Sequence, residues 1–228
     1  MVFGIILAGG SGRRMQSSLT KQRMLLSGKS VVYRSVFAFE ACPDIDRIIV
    51  VCREDELEYM RCELREMKKV YKIVSGGKTR AESSYNGLCA VGEECELVAI
   101  HDAARCLITP FDISRLIEKA RIFGAATAAT AVSDSIKKVD DGGNIAETLK
   151  RSELVAVQTP QVFDYQRLFS AFCGIDLSSD AITDDNMIYE KTGYPIRTVD
   201  IGAENIKITT PRDLILAEII IKERECQE

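Results

Sequence analysis

Short apolar and β-branched runs recur along the chain at Phe3–Leu7, Arg47–Cys52, Tyr71–Val74, Leu97–His101, Ala125–Val132 and Ile196–Val199, each of strand length. Between them, apolar positions three and four apart predict helices over Val31–Ala41, Glu54–Lys68, Arg80–Val91, Phe111–Phe123, Tyr165–Phe172 and Asp185–Lys191. A final helix is expected from Pro211 to about Lys222, because Thr210 can cap it, Pro211 fits its first turn and Asp213 suits its positive N-terminal end. Strands without a polar face, alternating with helices, predict an α/β fold with a mostly parallel sheet and helices on both faces. One segment departs from this rhythm. Ser135–Val139, a turn at Asp140-Asp141-Gly142-Gly143-Asn144, and Ile145–Lys150 form a hairpin signal. An isolated two-stranded ribbon is marginal in water, so an arm that clasps a second subunit is expected. With no internal repeat or linker, residues 1–228 read as one domain.

No apolar run approaches the roughly eighteen residues of a membrane span, and no membrane partner is expected. The first apolar stretch lacks a basic flank and soon breaks into glycine, which reads as a strand rather than a secretion signal and predicts a cytoplasmic protein. Eight cysteines (Cys42, Cys52, Cys62, Cys89, Cys95, Cys106, Cys173, Cys226) have no Cys-x-x-Cys spacing, and His101 is the one histidine. Zinc chemistry is therefore not expected, and each cysteine reads as a small buried hydrophobe. An acidic balance without tryptophan or aromatic–basic interleaving argues against a nucleic-acid partner.

The charge is unevenly spread. The first 39 residues hold six basic side chains (Arg13, Arg14, Lys21, Arg23, Lys29, Arg34) and no acidic one, within a chain of net charge −4. At their centre, Leu7-Ala8-Gly9-Gly10-Ser11-Gly12-Arg13-Arg14-Met15 follows a strand, and its glycines let backbone N–H groups approach an anion. This is the composition of a phosphate cradle. It is not a dinucleotide fingerprint, since Met15 stands at the third glycine position and the acidic residue expected about 20 positions on is missing. Gly28-Lys29-Ser30 and Gly77-Lys78-Thr79 fail as nucleotide loops because Arg23 and Lys72 occupy the first glycine position. Asp44-x-Asp46 imitates a metal-binding pair but precedes its strand, and so reads as turn chemistry.

Three later segments fall at strand ends, where such sheets place their sites. Gly76-Gly77-Lys78-Thr79-Arg80-x-x-Ser83 opens a helix, offering backbone amides and a hydroxyl to a ligand's polar edge. His101-Asp102-Ala103-Ala104-Arg105 sets a carboxylate and a guanidinium around two small residues, and the carboxylate can hold a ribose hydroxyl or hydrated Mg²⁺. His101 itself, at the end of an apolar strand, reads as structural. Asn205-Ile206-Lys207-Ile208-Thr209-Thr210-Pro211 puts a lysine just before the final helix.

These segments, with Lys21-Gln22, Gln158-Thr159-Pro160-Gln161-x-Phe163 and Ile182-Thr183-Asp184, resemble the 2-C-methyl-D-erythritol 4-phosphate cytidylyltransferase family, in order and over nearly the whole chain. The resemblance implies a Rossmann-like nucleotidyltransferase fold and a homodimer formed through a β-arm at about 134–153. It implies transfer of a cytidylyl group from CTP to methylerythritol phosphate, a polyol phosphate, with Mg²⁺. Carried across by position, it makes Arg14, Lys21 and Lys207 the catalytic cations, and Ala8, Gly9, Gly10 and Gly12 the lining of the phosphate loop. Gly76, Gly77 and Ser83 would read the cytosine, Asp102 and Ala103 the ribose, and Asp102 would lie near the metal. Arg105, Ser135, Arg151, Thr159 and Thr183 would hold the sugar phosphate, Arg151 arriving from the partner's arm. Cys106 stands where a proline commonly follows, Gly9 replaces a common alanine, Ser135 a threonine, and Asn186 a usual small residue. Ribitol-5-phosphate cytidylyltransferases share the Ala-Gly-Gly opening, but Ala104 and Thr148-Leu149-Lys150-Arg151 look more like the methylerythritol branch. A nucleotide-binding scaffold without catalysis is the alternative from another class; the retained cations oppose it.

Overall fold

The computed structural model describes residues 1–10, 20–179 and 181–226. Its elements in chain order are β1 (Val2–Leu7), β2 (Leu25–Leu26), β3 (Lys29–Ser30), α1 (Val31–Ala41), β4 (Arg47–Cys52), α2 (Leu57–Glu63), β5 (Val70–Ser75), α3 (Arg80–Cys89), β6 (Leu97–Asp102), α4 (Pro110–Phe123), β7 (Ala125–Ala131), β8 (Lys137–Val139), β9 (Ile145–Thr148), β10 (Val155–Asp164), α5 (Tyr165–Phe172), α6 (Asn186–Tyr189), β11 (Arg197–Asp200) and α7 (Pro211–Glu225). Seven strands form one sheet in the order β11-β7-β10-β6-β1-β4-β5. All pairings are parallel except those of β10, which runs antiparallel to both neighbours.

Strand alternation sorts the apolar side chains onto two faces. Val2 and Ile6 of β1 join Ile48 and Val50 of β4 and Leu97 and Ala99 of β6 under α1, α2 and α4. Phe3 and Ile5, with Ile49, Val51, Val98 and Ile100, pack on the other face against α3 and α5. Burial on both sides explains why these strands read as unbroken apolar runs. A third cluster, with Leu26, Leu107, Ile208, Ile220 and Ile221, fastens α7 to β2 and to the segment that follows β6.

The chain leaves β1 for β4 and β5 on one side, then returns to β6 on the other. The β1–β6 crevice is thus the point where strand order reverses, and the register sets Leu7 opposite Asp102. The glycine-rich segment and the His101–Arg105 segment therefore leave the sheet side by side.

Several sequence expectations need correction. The helix expected over Glu54–Lys68 is a 3-10 turn at Glu54–Glu56 followed by α2, which stops at Glu63. Past Glu63 the chain turns, with Met67 N–H donating to Leu64 O at 3.0 Å, and the Lys68 and Lys69 amides then donate to the Glu40 carboxylate, each at 2.9 Å. The one over Asp185–Lys191 is α6 plus a 3-10 turn closed by Gly193 at φ +75°. β10 was not expected at all, because Pro160 and its polar neighbours interrupt the apolar run; the β7 ladder absorbs them by shifting register between Val157 and Gln161. The expected hairpin exists as β8–β9, separate from the main sheet. Cys42, Cys52, Cys95 and Cys106 are buried, whereas Cys62, Cys89, Cys173 and Cys226 are exposed and do not act as core hydrophobes. Among the described residues, no helix is long and apolar enough to cross a membrane.

Gly87 brings α3 close to the sheet: a Cβ there would lie 2.5 Å from Ile5 Cγ2 and 3.1 Å from Val51 Cγ2. Gly87→Ala should therefore destabilise the protein by about 1–3 kcal/mol through overpacking, although alanine favours an isolated helix by about 1 kcal/mol. Urea unfolding midpoints of the two proteins test this; a more stable variant would show that α3 can move off the sheet freely.

Candidate active site

The parallel strands β5, β4, β1 and β6 end on one edge, and the segments beyond them enclose a cavity of about 450 Å³. Leu7, Gly9 and Gly10 supply one wall, Gly77–Arg80 and Ser83 a second, and Lys21, Gln22, Asp102, Ala104 and Lys207 the remainder. It adjoins a second cavity of about 830 Å³ over the ends of β4 and β5, which Gly9, Gly76, Gly77 and Lys78 also line.

Local chemistry builds these walls. Ala8 extends the β1 ladder by donating its N–H to Val51 O at 2.7 Å, and Gly9 and Gly10 follow it along the cavity. Lys21 lies over Gly10, its Cε 3.3 Å from where a Cβ would stand. Thr79 caps α3 in a reciprocal capping box with Glu82. Gly77 must be glycine here, since a Cβ would fall 2.2 Å from Glu82 Cβ. The Ser83 hydroxyl accepts from Gly77 N–H at 3.1 Å and donates to Thr79 O at 2.9 Å, so it shapes the turn that faces the cavity.

Among the described residues, four cations, Lys21, Lys78, Arg80 and Lys207, line the cavity against one carboxylate, Asp102. Lys207 Nζ donates to Asp102 Oδ2 at 2.6 Å and Arg80 Nε to Oδ1 at 3.3 Å. Arg80 Nη1 also lies 2.8 Å from Oδ2 of Asp185, a wholly buried carboxylate. Burial alone would raise the Asp102 carboxyl, but Arg80 and Lys207 outweigh it and hold the group well below the usual carboxylate range. At Asp185 burial wins over Arg80 and the carboxyl is raised. Arg80 is thus the centre of an ion chain, Lys207–Asp102–Arg80–Asp185. Removing Arg80 from the wholly buried Asp185 typically costs about 3–5 kcal/mol, because a charge is left without compensation.

His101 acts in the wall, not in the cavity. Its Nε2 lies 3.2 Å from Arg105 O, an acceptor only, so Nε2 carries the proton. Nδ1 is then the acceptor for the Thr159 hydroxyl at 3.0 Å, and Thr159 Oγ1 in turn accepts from Asp102 N–H at 3.0 Å. Burial lowers the imidazole from its ordinary value to about 3, so the ring is neutral throughout the physiological range.

Of the residues expected at the site, Gly9, Gly10, Lys21, Gly77, Ser83, Asp102 and Lys207 line this cavity, and Gly76 lines its neighbour. Ala8 and Ala103 are buried behind it, the Ala103 carbonyl accepting from Ser35 Oγ at 2.6 Å. Arg105 points Nη1 at Asn205 O, 2.8 Å away, and Thr159 is spent on His101 and Asp102. Thr183 is exposed, with its hydroxyl 3.2 Å from Met187 Sδ. Ser135 and Arg151 are exposed beside the hairpin, outside the cavity of their own chain, where Arg151 Nη1 donates to Ser133 O at 2.8 Å. Gly12 and Arg14 lie outside the described residues. Sequence reasoning missed the charge role of Arg80 and Asp185. Arg80 stands in the Gly76–Ser83 motif, but its partner lies more than a hundred positions away, where it reads only as the first residue of a helix.

Among the described residues, Asp102 is the one carboxylate lining the cavity and no group of three metal-binding side chains occurs. That donor set fits a hydrated, oxygen-loving cation that takes most of its ligands from phosphates and water. It does not fit an all-protein cage.

Comparison with known proteins gives a consistent picture. The family model described as IspD, 2-C-methyl-D-erythritol 4-phosphate cytidylyltransferase, matches residues 2–223. The chain is 41% identical over 223 residues to the 2-C-methyl-D-erythritol 4-phosphate cytidylyltransferase of Clostridium perfringens strain SM101, covering 97% of this chain and 99% of that protein. It is 39% identical over 226 residues to the enzyme of the same name from Caldanaerobacter subterraneus, covering 97% and 99%. Among solved structures, the 4-diphosphocytidyl-2C-methyl-D-erythritol synthase of Anaerococcus prevotii superposes with a TM-score of 0.87 at 29% identity, covering 97% of this chain and 96% of that one.

The buried histidine makes stability depend on pH. Its folded value, about 3, lies below the ordinary 6.5, so between these limits the unfolded chain binds a proton that the folded one refuses. Stability should fall as pH drops from about 6.5, by at most about 1.4 kcal/mol per pH unit from this group. Urea titrations at pH 7.5, 6 and 5 should show this slope, and His101→Gln should flatten it. An unchanged slope in the variant would assign it elsewhere.

Proposed function

The chain belongs to the 2-C-methyl-D-erythritol 4-phosphate cytidylyltransferase family, and we propose that its cation-lined cavity is where CTP and methylerythritol phosphate react. The activity is CTP-dependent cytidylyl transfer in isoprenoid precursor synthesis by the non-mevalonate route, giving 4-diphosphocytidyl-2-C-methyl-D-erythritol and pyrophosphate. The observation that carries the site assignment is charge. In a chain of net charge −4, the described residues set four cations against one carboxylate around a single cavity at the strand-order reversal. That is a surface for a polyanion.

A phosphate oxygen of the sugar phosphate attacks the α-phosphorus of CTP in line, and pyrophosphate leaves with the electron pair of the broken P–O bond. The nucleophile is already an anion, so no base is needed. The catalytic task is to bring two polyanions together and to neutralise charge building on the α-phosphate and leaving group. Lys21 and Lys207 serve that task, joined by Arg14. Lys207 sits on Asp102 yet keeps its side chain 41% exposed, so an entering triphosphate can draw on its ammonium. Gly76, Gly77 and Ser83 shape the turn that reads the cytosine, Ala8, Gly9, Gly10 and Gly12 the phosphate loop, and Asp102 with Ala103 the ribose.

Enzymes of the family depend on a divalent metal. Mg²⁺ is the ion we assign, with Asp102 as its protein carboxylate; bound with CTP, it would neutralise phosphate charge. Arg105, Thr183 and Ser135 hold the sugar phosphate, completed by Arg151 from a partner subunit, while Thr159, expected among them, serves from the wall through His101 and Asp102. We read residues 1–228 as one nucleotidyltransferase domain whose arm, at about 134–153, forms the homodimer. The arm's exposed Val139 and Ile145, 57% and 67% accessible, support this, since apolar side chains on a thin ribbon need cover. A cytoplasmic location accords with two charged, water-soluble substrates.

Pyrophosphate release with CTP and Mg²⁺ should be rapid with 2-C-methyl-D-erythritol 4-phosphate and weak with ribitol 5-phosphate; the reverse preference would reassign the substrate. Lys21→Ala and Lys207→Ala should each lower kcat by about 10²-fold or more in a folded protein, as for loss of a preorganised electrostatic contact. Wild-type rates in either would remove that residue from the site. Arg151→Ala should raise KM for the sugar phosphate and leave that for CTP nearly unchanged, in a protein that sediments as a dimer. Equal damage to both constants, or a monomer, would mean the arm does not complete a neighbour's site.

A further inference from the structure

Arg23 belongs to the acid-free opening segment, yet it does not line the cavity. Lys21, Gln22 and Arg23 form a single 3-10 turn, closed by Arg23 N–H to Thr20 O at 3.0 Å and Met24 N–H to Lys21 O at 3.3 Å. Successive side chains in such a turn point about 120° apart. Lys21 lines the cavity, Gln22 is buried, and Arg23 is directed to the segment that leads into α2. There Arg23 Nε donates to Glu56 Oε2 at 3.2 Å, and its guanidinium carbon lies 4.1 Å from the centre of the Tyr59 ring. The same Glu56 oxygen accepts from Thr20 Oγ1 at 3.4 Å. Glu56 is only 5% exposed.

One buried carboxylate therefore grips the residues on either side of Lys21 and Gln22. A turn of three residues has too few internal hydrogen bonds to fix its own orientation, and a buried carboxylate is retained only where it is paired. The flat guanidinium suits this place, because it can donate to the carboxylate while lying over the aromatic face, which an ammonium cannot reproduce. Glu56 and Tyr59 stand at the start of α2, beyond the end of β4, so the clamp ties the turn to the rigid sheet.

We propose that Arg23, Glu56 and Tyr59 are positioning residues that hold the Lys21 turn, and with it the Lys21 ammonium, against the phosphates of CTP. This rests on the reading that Lys21 binds those phosphates. Arg23 is thereby a cation of the opening segment that serves the reaction without touching substrate.

The test is a double-mutant cycle on the full-length enzyme, with pyrophosphate release, CTP and sugar-phosphate KM, and thermal midpoint measured for each protein. Arg23→Ala and Glu56→Gln should each lower kcat by between about ten- and a hundredfold, as misplacement of a catalytic group does, with the sugar-phosphate KM unchanged. In the Lys21→Ala background, Arg23→Ala should cost less than about twofold more, since a positioning residue has nothing left to position. Arg23→Lys, which keeps the charge but loses the stacked fork, should recover only part of the rate, and it carries the same cycle should the alanine variant not fold. If Arg23→Ala and Glu56→Gln fold and keep full activity while Lys21→Ala is impaired, the clamp is overturned and the Lys21 assignment stands. Equal losses from Arg23→Ala with and without Lys21 would also overturn it, by showing a general structural role. Full activity in Lys21→Ala would instead overturn the reading of Lys21 itself.

Discussion

The ion chain Lys207–Asp102–Arg80–Asp185 joins four parts of the molecule that are far apart in sequence: the approach to α7, the end of β6, the start of α3 and the residue before α6. Each link is short because the sheet has already put these segments on one edge. A lone buried carboxylate such as Asp185 would neutralise or destabilise the fold, so Arg80 must stay where it is, and Asp102 is fixed through it. Lys207 then meets a carboxylate that is anchored and ionised. The cavity depends on this order of constraint: the innermost charge is pinned for stability, and the outermost one, half exposed, remains available to a ligand.

Much of this was legible in the sequence, and the legible parts share a cause. β1, β4 and β6 are buried on both faces and so show as apolar runs; the start of α7 is local chemistry written in Thr210, Pro211 and Asp213. β10 was hidden because its centre, Gln158-Thr159-Pro160-Gln161, spends side chains on fixed neighbours instead of on a core: Gln158 and Asn205 bond at 2.9 Å, and Thr159 holds His101. Local pattern cannot reveal a strand whose side chains find partners 23 to 58 residues away. For the same reason Asp185 reads as the start of a helix rather than as a charge partner, and the helix predicted over Glu54–Lys68 is longer than α2.

The basic residues of the opening segment divide by what they touch. Arg34 donates to Leu26 O and Ser27 O at 2.7 and 3.1 Å and so secures the β2–β3 hairpin, while Lys29 lies over the Tyr33 ring at 4.5 Å. Lys21 lines the cavity, and Arg23 is held by Glu56 and Tyr59. Composition had shown a block of positive charge; only geometry separates the members that meet a ligand from those that hold the backbone. The excess of cations is therefore not a measure of how many phosphate contacts the enzyme makes.

The one histidine illustrates how chemistry and folding share this edge. An imidazole near a reacting centre usually suggests a base, but here burial keeps it neutral and both ring nitrogens are committed, one to Arg105 O and one to Thr159. Phosphoryl chemistry with an anionic nucleophile makes no demand for a proton acceptor, so the position is free to serve the wall. What the reaction does demand is immobile positive charge, and that is harder to keep in place than a base, because cations repel one another. Interleaving the two carboxylates of the ion chain, and a third at Glu56, among Lys207, Arg80 and Arg23 resolves that conflict: each cation is held by an anion set deeper in the fold than itself. The result is a net positive cavity in an acidic protein.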